Sequence, residues 1–431
     1  FLTIFYFLIT IQNTTKKSRG SYSDPNFLDK TKKKDKLNLI FYFLFIIAMK
    51  ILISQKKAIN MLDIASRFVS KNSTLPILQN IYLKASIDAL LIRATDMEKY
   101  IEIEIPCQVQ LEGAITINAK TFLDILKTIE AEQVEFSVDQ KTNILTIKTE
   151  KDTFDINGIA ATEYVALPEV PQDNNFIIDT LTLAKGIDHV EYAVTEKSFS
   201  PVLTGVLMKT KKSDSGEELV FVGTDSFRLS EYKIPQSLNS DFSLIIPKSL
   251  INDLRSVLNF AISKESPDIK VNYSENLIAF SFMIDEIKII TTSLLIQGNF
   301  PDYDREEVVP TKFEVKIMLD KNECEKAIKK IILTKDINNF IQIKTDSNKV
   351  IISSGKTDKG AGTTEIPAII DGNSDLVSGL TFAVNGRYIS DFIKTMDEST
   401  LIFNIINSQK PIVLMDKDNS FNRYVVRPLL G

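Results

Sequence analysis

The string in this chain with the most chemical look is Ser354-Gly-Lys-Thr357, which has the form of the end of a phosphate-binding loop. Such a loop cradles phosphate in backbone N–H groups and needs a glycine five positions before Gly355, where this chain has Val350. The nearby Gly360-Ala-Gly362 then reads as a turn between strands. Thr95-Asp96 and Thr224-Asp225 hold residue types fit for acid–base work, but no second carboxylate, histidine or metal-ligand cluster accompanies them in sequence. Each pair falls at the end of an apolar run, where Asp commonly caps a turn. The sole histidine, His189, lies in Ile187-Asp-His-Val-Glu191 with apolar neighbours at helical spacing, the pattern of a structural histidine. Cys107 and Cys324 have neither disulfide nor zinc spacing, which fits a reducing cytoplasm and no bound metal. Neither a catalytic residue nor a cofactor is expected.

The elements that position these residues belong to a chain of 431 residues, 44% hydrophobic and 25% charged, long enough for two or three domains. A net charge of −5 excludes a uniformly basic nucleic-acid binder and leaves room for local basic faces. Residues 1–48 differ in kind. They hold two apolar runs, Phe1–Leu8 and Leu39–Ala48, around a lysine-rich stretch, and Met49 is the first methionine. Each run is about half of the ~20 residues a membrane helix needs, and the flanks of a signal peptide are missing. The segment reads as upstream sequence translated ahead of a start at Met49 and outside the fold; a membrane anchor is the alternative.

From Met49 onward one series occurs three times: strand, amphipathic helix, several strands, second amphipathic helix, more strands, then an exit containing Tyr and Pro. The first helices are expected over Ala58–Val69, Leu183–Val194 and Glu323–Ile332, each with apolar residues at three-and-four spacing. The second helices open alike, at Ile117-Asn-Ala-Lys120, Ile245-Ile-Pro-Lys248 and Val384-Asn-Gly-Arg387, with a basic residue at one recurring place. The exits correspond at Glu163–Pro168, Asn299–Tyr303 and Arg423–Pro428. Alternating segments such as Leu145–Thr149, Leu219–Gly223 and Lys349–Ser353 read as strands. The fold class is α+β: three copies of a domain with two helices on antiparallel sheet, spanning 49–172, 173–310 and 311–431.

Several motifs then occur in order: Thr74-Leu-Pro-Ile-Leu-Gln-Asn80, Ala94-Thr-Asp-Met-Glu98, Pro201-Val-Leu-Thr-Gly205, Gly223-Thr-Asp-Ser-Phe-Arg-Leu229, Gly298-Asn-Phe-Pro-Asp-Tyr303 and Tyr424-Val-Val-Arg-Pro-Leu429. With the threefold repeat, they make Met49–Gly431 resemble the beta subunits of bacterial DNA polymerase III, the sliding clamps. The resemblance implies a non-enzymatic processivity factor. It would be a head-to-tail homodimer whose six domains close a ring, with helices lining the hole and sheets outside. Its partners would be double-stranded DNA, held topologically and without sequence preference, the polymerase III catalytic subunit, the clamp loader, and other DNA polymerases and repair proteins. The location implied is the cytoplasm, in association with the nucleoid, with no membrane partner.

By the same resemblance a partner-peptide pocket is expected from Leu203, Thr224, Ser226, Phe227, Arg228, Leu229, Pro301, Arg305, Tyr388, Val425, Val426, Arg427, Pro428 and Leu429. Chemically this is an apolar cleft with a few polar fixings, suited to short extended peptides bearing Leu and Phe. DNA contact is expected from Lys71 and Asn72 in the loop before Pro76, from Lys197 in the loop before Pro201, and from the helix-borne Lys120, Lys248 and Arg387. Lysine there attracts phosphate without reading bases, although each one singly also fits the wet face of any soluble helix. Ser200 stands where many relatives carry a basic residue, and the chain ends in Leu430-Gly431 rather than near a basic residue. The dimer seam is expected to join Phe154 and Ile156 of one subunit to Ile332 and Leu333 of the other, residues that suit internal core equally well.

Overall fold

The computed structural model describes residues 47–429 other than 140, 214–215, 239, 335–338, 356–357, 359, 374–376, 378 and 418–420. The expectations for residues 1–46, for Lys356 and Thr357, and for Leu430-Gly431 therefore lie outside the described residues. Among those described, six α-helices fall in three pairs: α1 Gln55–Ala65 with α2 Ala119–Thr128, α3 Thr180–Asp188 with α4 Lys248–Ser263, and α5 Lys321–Ile332 with α6 Gly386–Thr395. Within each pair the helices pack on each other. Five of them start at a side-chain cap: Ser54, Asn118, Asp179, Asp320 and Asn385 each accept a backbone N–H of the first turn. Such caps satisfy donors that have no partner inside the helix, each contributing about 1 kcal/mol.

Two first helices end earlier than their apolar spacing suggests. α1 starts at Gln55, after its Ser54 cap and three residues before Ala58, and stops at Ala65; Phe68 is still buried, but on non-helical backbone. α3 stops at Asp188, and a short 3₁₀ turn, Glu191–Ala193, carries the apolar residues onward. The reason lies in the sheet beneath: the Val190 carbonyl is pressed so close to Gly223 that any Cβ there would collide with it. A side chain at position 223 would push the turn off the sheet.

The strands form four sheets among the described residues, and two of the sheets cross from one repeat to the next. The first nine-stranded sheet is continuous because Lys99–Pro106 pairs antiparallel with Ile287–Leu294, Tyr100 facing Thr292. The second is continuous because Arg228–Pro235 pairs with Asn422–Val426, Leu229 facing Val425. The remaining sheets belong to the first and third repeats. A five-stranded sheet ends on Thr153–Asn157, and a four-stranded sheet ends on Thr363–Pro367. Both edge strands have a ladder on one side only among the described residues.

Strand alternation decides where each apolar side chain goes. In Asn422–Val426, Tyr424 and Val426 point into the core of the third repeat, while Val425 points to a separate apolar cluster with Leu203, Leu229, Tyr303 and Val309. That second cluster lies where the second and third repeats meet.

Candidate functional site

A turn builds the centre of this junction. Gly216–Thr224 ends at Thr224, whose hydroxyl donates to the Arg228 carbonyl at 2.7 Å. The Asp225 carboxylate accepts the N–H groups of Phe227 and Arg228, both at 2.9 Å. These bonds hold Ser226 at φ 76°, a left-handed conformation, and leave Phe227 61% exposed at the lip. Thr95-Asp96 makes the same turn at the first junction, with Asp96 accepting from Glu98 and Lys99. Both aspartates therefore cap turns.

Beside the Asp225 turn lies a cleft of about 260 Å³. Leu203, Leu229 and Val425 give it an apolar floor, and Pro301, Tyr303 and Val308 come from the segment that links the second and third repeats. Arg305, Glu307, Pro411 and Arg427 stand at its rim. Cavities of this size and lining take one or two apolar side chains of an extended peptide.

Arg228 ties this cleft to both domains. Its Nε donates to Asp225 at 2.9 Å, Nη1 to Asp391 of α6 at 2.9 Å, and Nη2 to the Tyr192 carbonyl at 2.5 Å. Its guanidinium also lies 4.3 Å from the centre of the Tyr388 ring. Burial works against the charge, but Tyr424, Asp391 and Asp225 outweigh it, so the guanidinium is held more firmly protonated than in water. The first junction repeats the device with Lys99, which pairs with Asp96 and, at 3.4 Å, with Asp253 of α4.

Ten of the residues expected in the pocket line this cleft: Leu203, Thr224, Ser226, Phe227, Arg228, Leu229, Pro301, Arg305, Val425 and Arg427. Four do not. Val426 is 1% exposed and faces the core of the third repeat, because neighbours on a strand point to opposite sides. Tyr388 lies behind Arg228 as its stacking partner. Pro428 and Leu429 run away from the cleft, the Leu429 N–H donating to Ala383 at 2.8 Å. Asp302, Tyr303, Glu307, Val308 and Pro411 line the cleft and were not expected there, although Tyr303 closes the Gly298–Tyr303 motif.

Models of the N-terminal, central and C-terminal domains of the DNA polymerase III beta subunit match residues 49–168, 177–302 and 306–429. The chain belongs to the DNA polymerase III beta subunit family. It is 26% identical to the beta sliding clamps of Staphylococcus epidermidis and Staphylococcus aureus over 393 residues, 88% of this chain and 99% of those proteins. Its fold superposes on the Bacillus subtilis DNA polymerase sliding clamp with a TM-score of 0.80 at 23% identity, covering 89% of this chain and all of that one. The sliding clamp of Bartonella birtlesii, solved bound to griselimycin, gives 0.81 at 21% identity with the same coverage.

In the beta subunit fold of this chain, the charges sort by element. The six helices carry thirteen Lys and Arg against seven Asp and Glu, in a chain whose net charge is −5. Of the six residues expected to face DNA, Lys71, Asn72, Lys197 and Arg387 are exposed, and the three cations make no ion pair among the described residues. Lys120 is exposed but paired with Asp124 at 2.5 Å. Lys248 is partly buried and donates to the Val194 carbonyl at 2.6 Å, so it braces a loop as well as adding charge. At the expected seam, Phe154 is 37% exposed and Ile156 is buried, both on the edge strand Thr153–Asn157. Leu333 is 78% exposed beyond the end of α5, while Ile332 is half-buried against the core of the third repeat.

The remaining candidate chemical groups are occupied or inert. His189 is 4% exposed, stacks on Tyr232 with ring centres 4.0 Å apart, and lies 2.7 Å through Nδ1 from the Lys185 carbonyl. Burial lowers its pKa and keeps the ring neutral at pH 7. Burial likewise pushes the Cys107 thiol up to about 11 and the Cys324 thiol up to about 12. Neither is a nucleophile at neutral pH. Among the described residues no group of three His, Cys, Asp or Glu could hold a metal ion, and no helix is long and apolar enough to cross a membrane.

Proposed function

We propose that the chain is a DNA sliding clamp: a ring-forming processivity factor that encircles duplex DNA and tethers the replicative polymerase by a peptide seated in the Leu203–Leu229–Val425 cleft. The observation that carries this is the pattern of sheet edges. Each internal junction is made by an edge strand of one repeat pairing with the next repeat, and among the edge strands that remain in the described residues, Thr153–Asn157 of the first repeat and Thr363–Pro367 of the third lie at opposite ends of the repeat series. Their sheets have five and four strands, the number that a third nine-stranded junction would need. A second copy placed head to tail supplies both missing pairings and closes a ring of six domains.

The remaining features follow from that reading. Domain limits fall at 49–172, 173–310 and 311–431, close to the start of the strand Asn174–Asp179 and to the buried Val309. The net positive helices face the hole and attract the duplex without reading it, and the acidic remainder discourages adhesion elsewhere. Phe154, Ile156, Ile332 and Leu333 belong to the subunit seam; Lys71, Asn72, Lys120, Lys197, Lys248 and Arg387 belong to the DNA-facing set. The clamp does no chemistry of its own and needs no cofactor. Its partners are the polymerase III catalytic subunit, the clamp loader and other polymerases and repair proteins, in the cytoplasm and on the nucleoid. Polymerase stimulation on primed circular DNA tests the cleft: Phe227→Ala together with Arg427→Ala, both at exposed positions, should remove it while the dimer persists. Unchanged stimulation would dismiss the cleft.

A further inference from the structure

A second groove, of about 430 Å³, adjoins the cleft and shares Pro301, Asp302 and Tyr303 with it. Its lining is more polar than that of the cleft, and it runs along the strand Ser243–Pro247 and the segment Leu295–Asp304. Within it lies Lys209, half-buried, its Nζ 4.7 Å from the centre of the Tyr303 ring. The neighbouring charges are already matched: Lys211 and, at 3.8 Å, Arg423 pair with Asp304, Arg305 pairs with Asp302, and Lys233 and Arg423 pair with Glu231. Lys209 makes no ion pair among the described residues, and Glu275 is the one lining carboxylate with no ion pair there.

We propose that this groove takes the residues adjoining the apolar anchor of a partner peptide, and that Lys209 selects an acidic side chain there. The inference rests on the cleft being the peptide site. Two observations carry it: the groove continues the cleft across Pro301–Tyr303, and it holds a cation lacking the counter-charge that each neighbouring cation has. Tyr303 serves both halves, its ring forming part of the apolar floor on one side and the platform for the ammonium on the other. Burial lowers the Lys209 pKa, Lys211 and Lys233 act in the same sense, and Asp304 and Glu231 act against it. A bound acid would supply the missing counter-charge and be attracted more strongly than at a fully wet surface.

The test uses the full chain and three fluorescent peptides that share one Leu/Phe anchor and differ in flank: two Asp, two Ser or two Lys. Anisotropy titrations at low salt should show the Asp-flanked peptide binding about 5-fold tighter than the Ser-flanked one, with the gap narrowing as salt is raised. Lys209→Gln should erase the gap without weakening the Ser-flanked peptide, Lys209→Arg should preserve it, and Lys209→Glu should shift preference to the Lys flank. An unchanged gap in Lys209→Gln overturns the proposal. So does equal weakening of all three peptides, which would make Lys209 a packing residue only. If no peptide binds the unaltered chain, the cleft reading itself fails.

Discussion

Arg228→Ala tests whether the cleft and the domain junction are one device. The substitution removes a guanidinium whose side chain is 12% exposed and leaves the carboxylates of Asp225 and Asp391, 15% and 14% exposed, without it. Breaking a buried pair by deleting one partner costs about 3–5 kcal/mol, because the other charge stays in a poor solvent. Asp225 keeps two backbone N–H donors, and Asp391 keeps Lys394 at 3.4 Å, so the low end applies and about 3 kcal/mol is expected. Arg228→Lys should cost less but not nothing, since one ammonium cannot reach Asp225, Asp391 and the Tyr192 carbonyl together. Arg305→Ala is the control: its pair with Asp302 is exposed on both sides, and its loss should stay within about 0.5 kcal/mol. Urea unfolding followed by circular dichroism measures all three, and peptide titration should show Arg228→Ala losing affinity as well. A loss below about 1 kcal/mol for Arg228→Ala, or no difference from Arg305→Ala, would refute the reasoning.

Other predictions concern the seam, the hole, the C-terminal strand and pH. Phe154→Asp with Leu333→Asp should convert a sedimenting dimer to a monomer that stays folded, with its circular dichroism retained, since both side chains are exposed within one chain. Lys197→Ala and Arg387→Ala should each reduce the salt slope of duplex binding by about 0.9, one phosphate contact apiece. Val425→Ala should cost less stability than Val426→Ala when each is compared by urea midpoint, because one side chain borders an open cleft and the other fills a closed core. Burial raises the Asp416 carboxyl from 3.8 to about 6, so the folded chain binds that proton more tightly than the unfolded chain. This group's contribution to stability is therefore unfavourable above pH 6 and is relieved as pH falls from about 6 toward 4, by roughly 2–3 kcal/mol. Asp416→Asn should remove that dependence from the stability profile, and an unchanged profile would exclude Asp416 as its source.

Much of this organisation was legible in the residues. The three-and-four spacing marks the three first helices, and the recurring opening with its basic residue marks the three second ones, aligning Lys120, Lys248 and Arg387 near the start of each. Helix ends were less legible: Val190 and Val194 continue the apolar spacing of α3, but the close approach of Gly223 to the backbone at Val190 ends the helix first. Val425 and Val426 were both expected in the cleft because a linear motif does not say which of two neighbours faces which side; strand pairing separates them. Lys248 looked like any wet-face lysine until the Val194 carbonyl appeared beside it. The Gly298–Tyr303 motif lines the Lys209 groove, but the sequence does not bring Lys209 to it, since the lining comes from four stretches far apart in sequence, around residues 207, 244, 275 and 300.

Topological binding is the central claim, and one retention experiment addresses it. The chain is loaded onto nicked circular DNA with a bacterial clamp loader, the circle is cut once, and the protein remaining on DNA is measured by gel filtration before and after cutting. A closed ring with weak, sequence-blind contacts should stay on the circle and run off the linear ends. Equal retention on circular and linear DNA would mean that direct contacts hold the protein, and the ring account would be wrong.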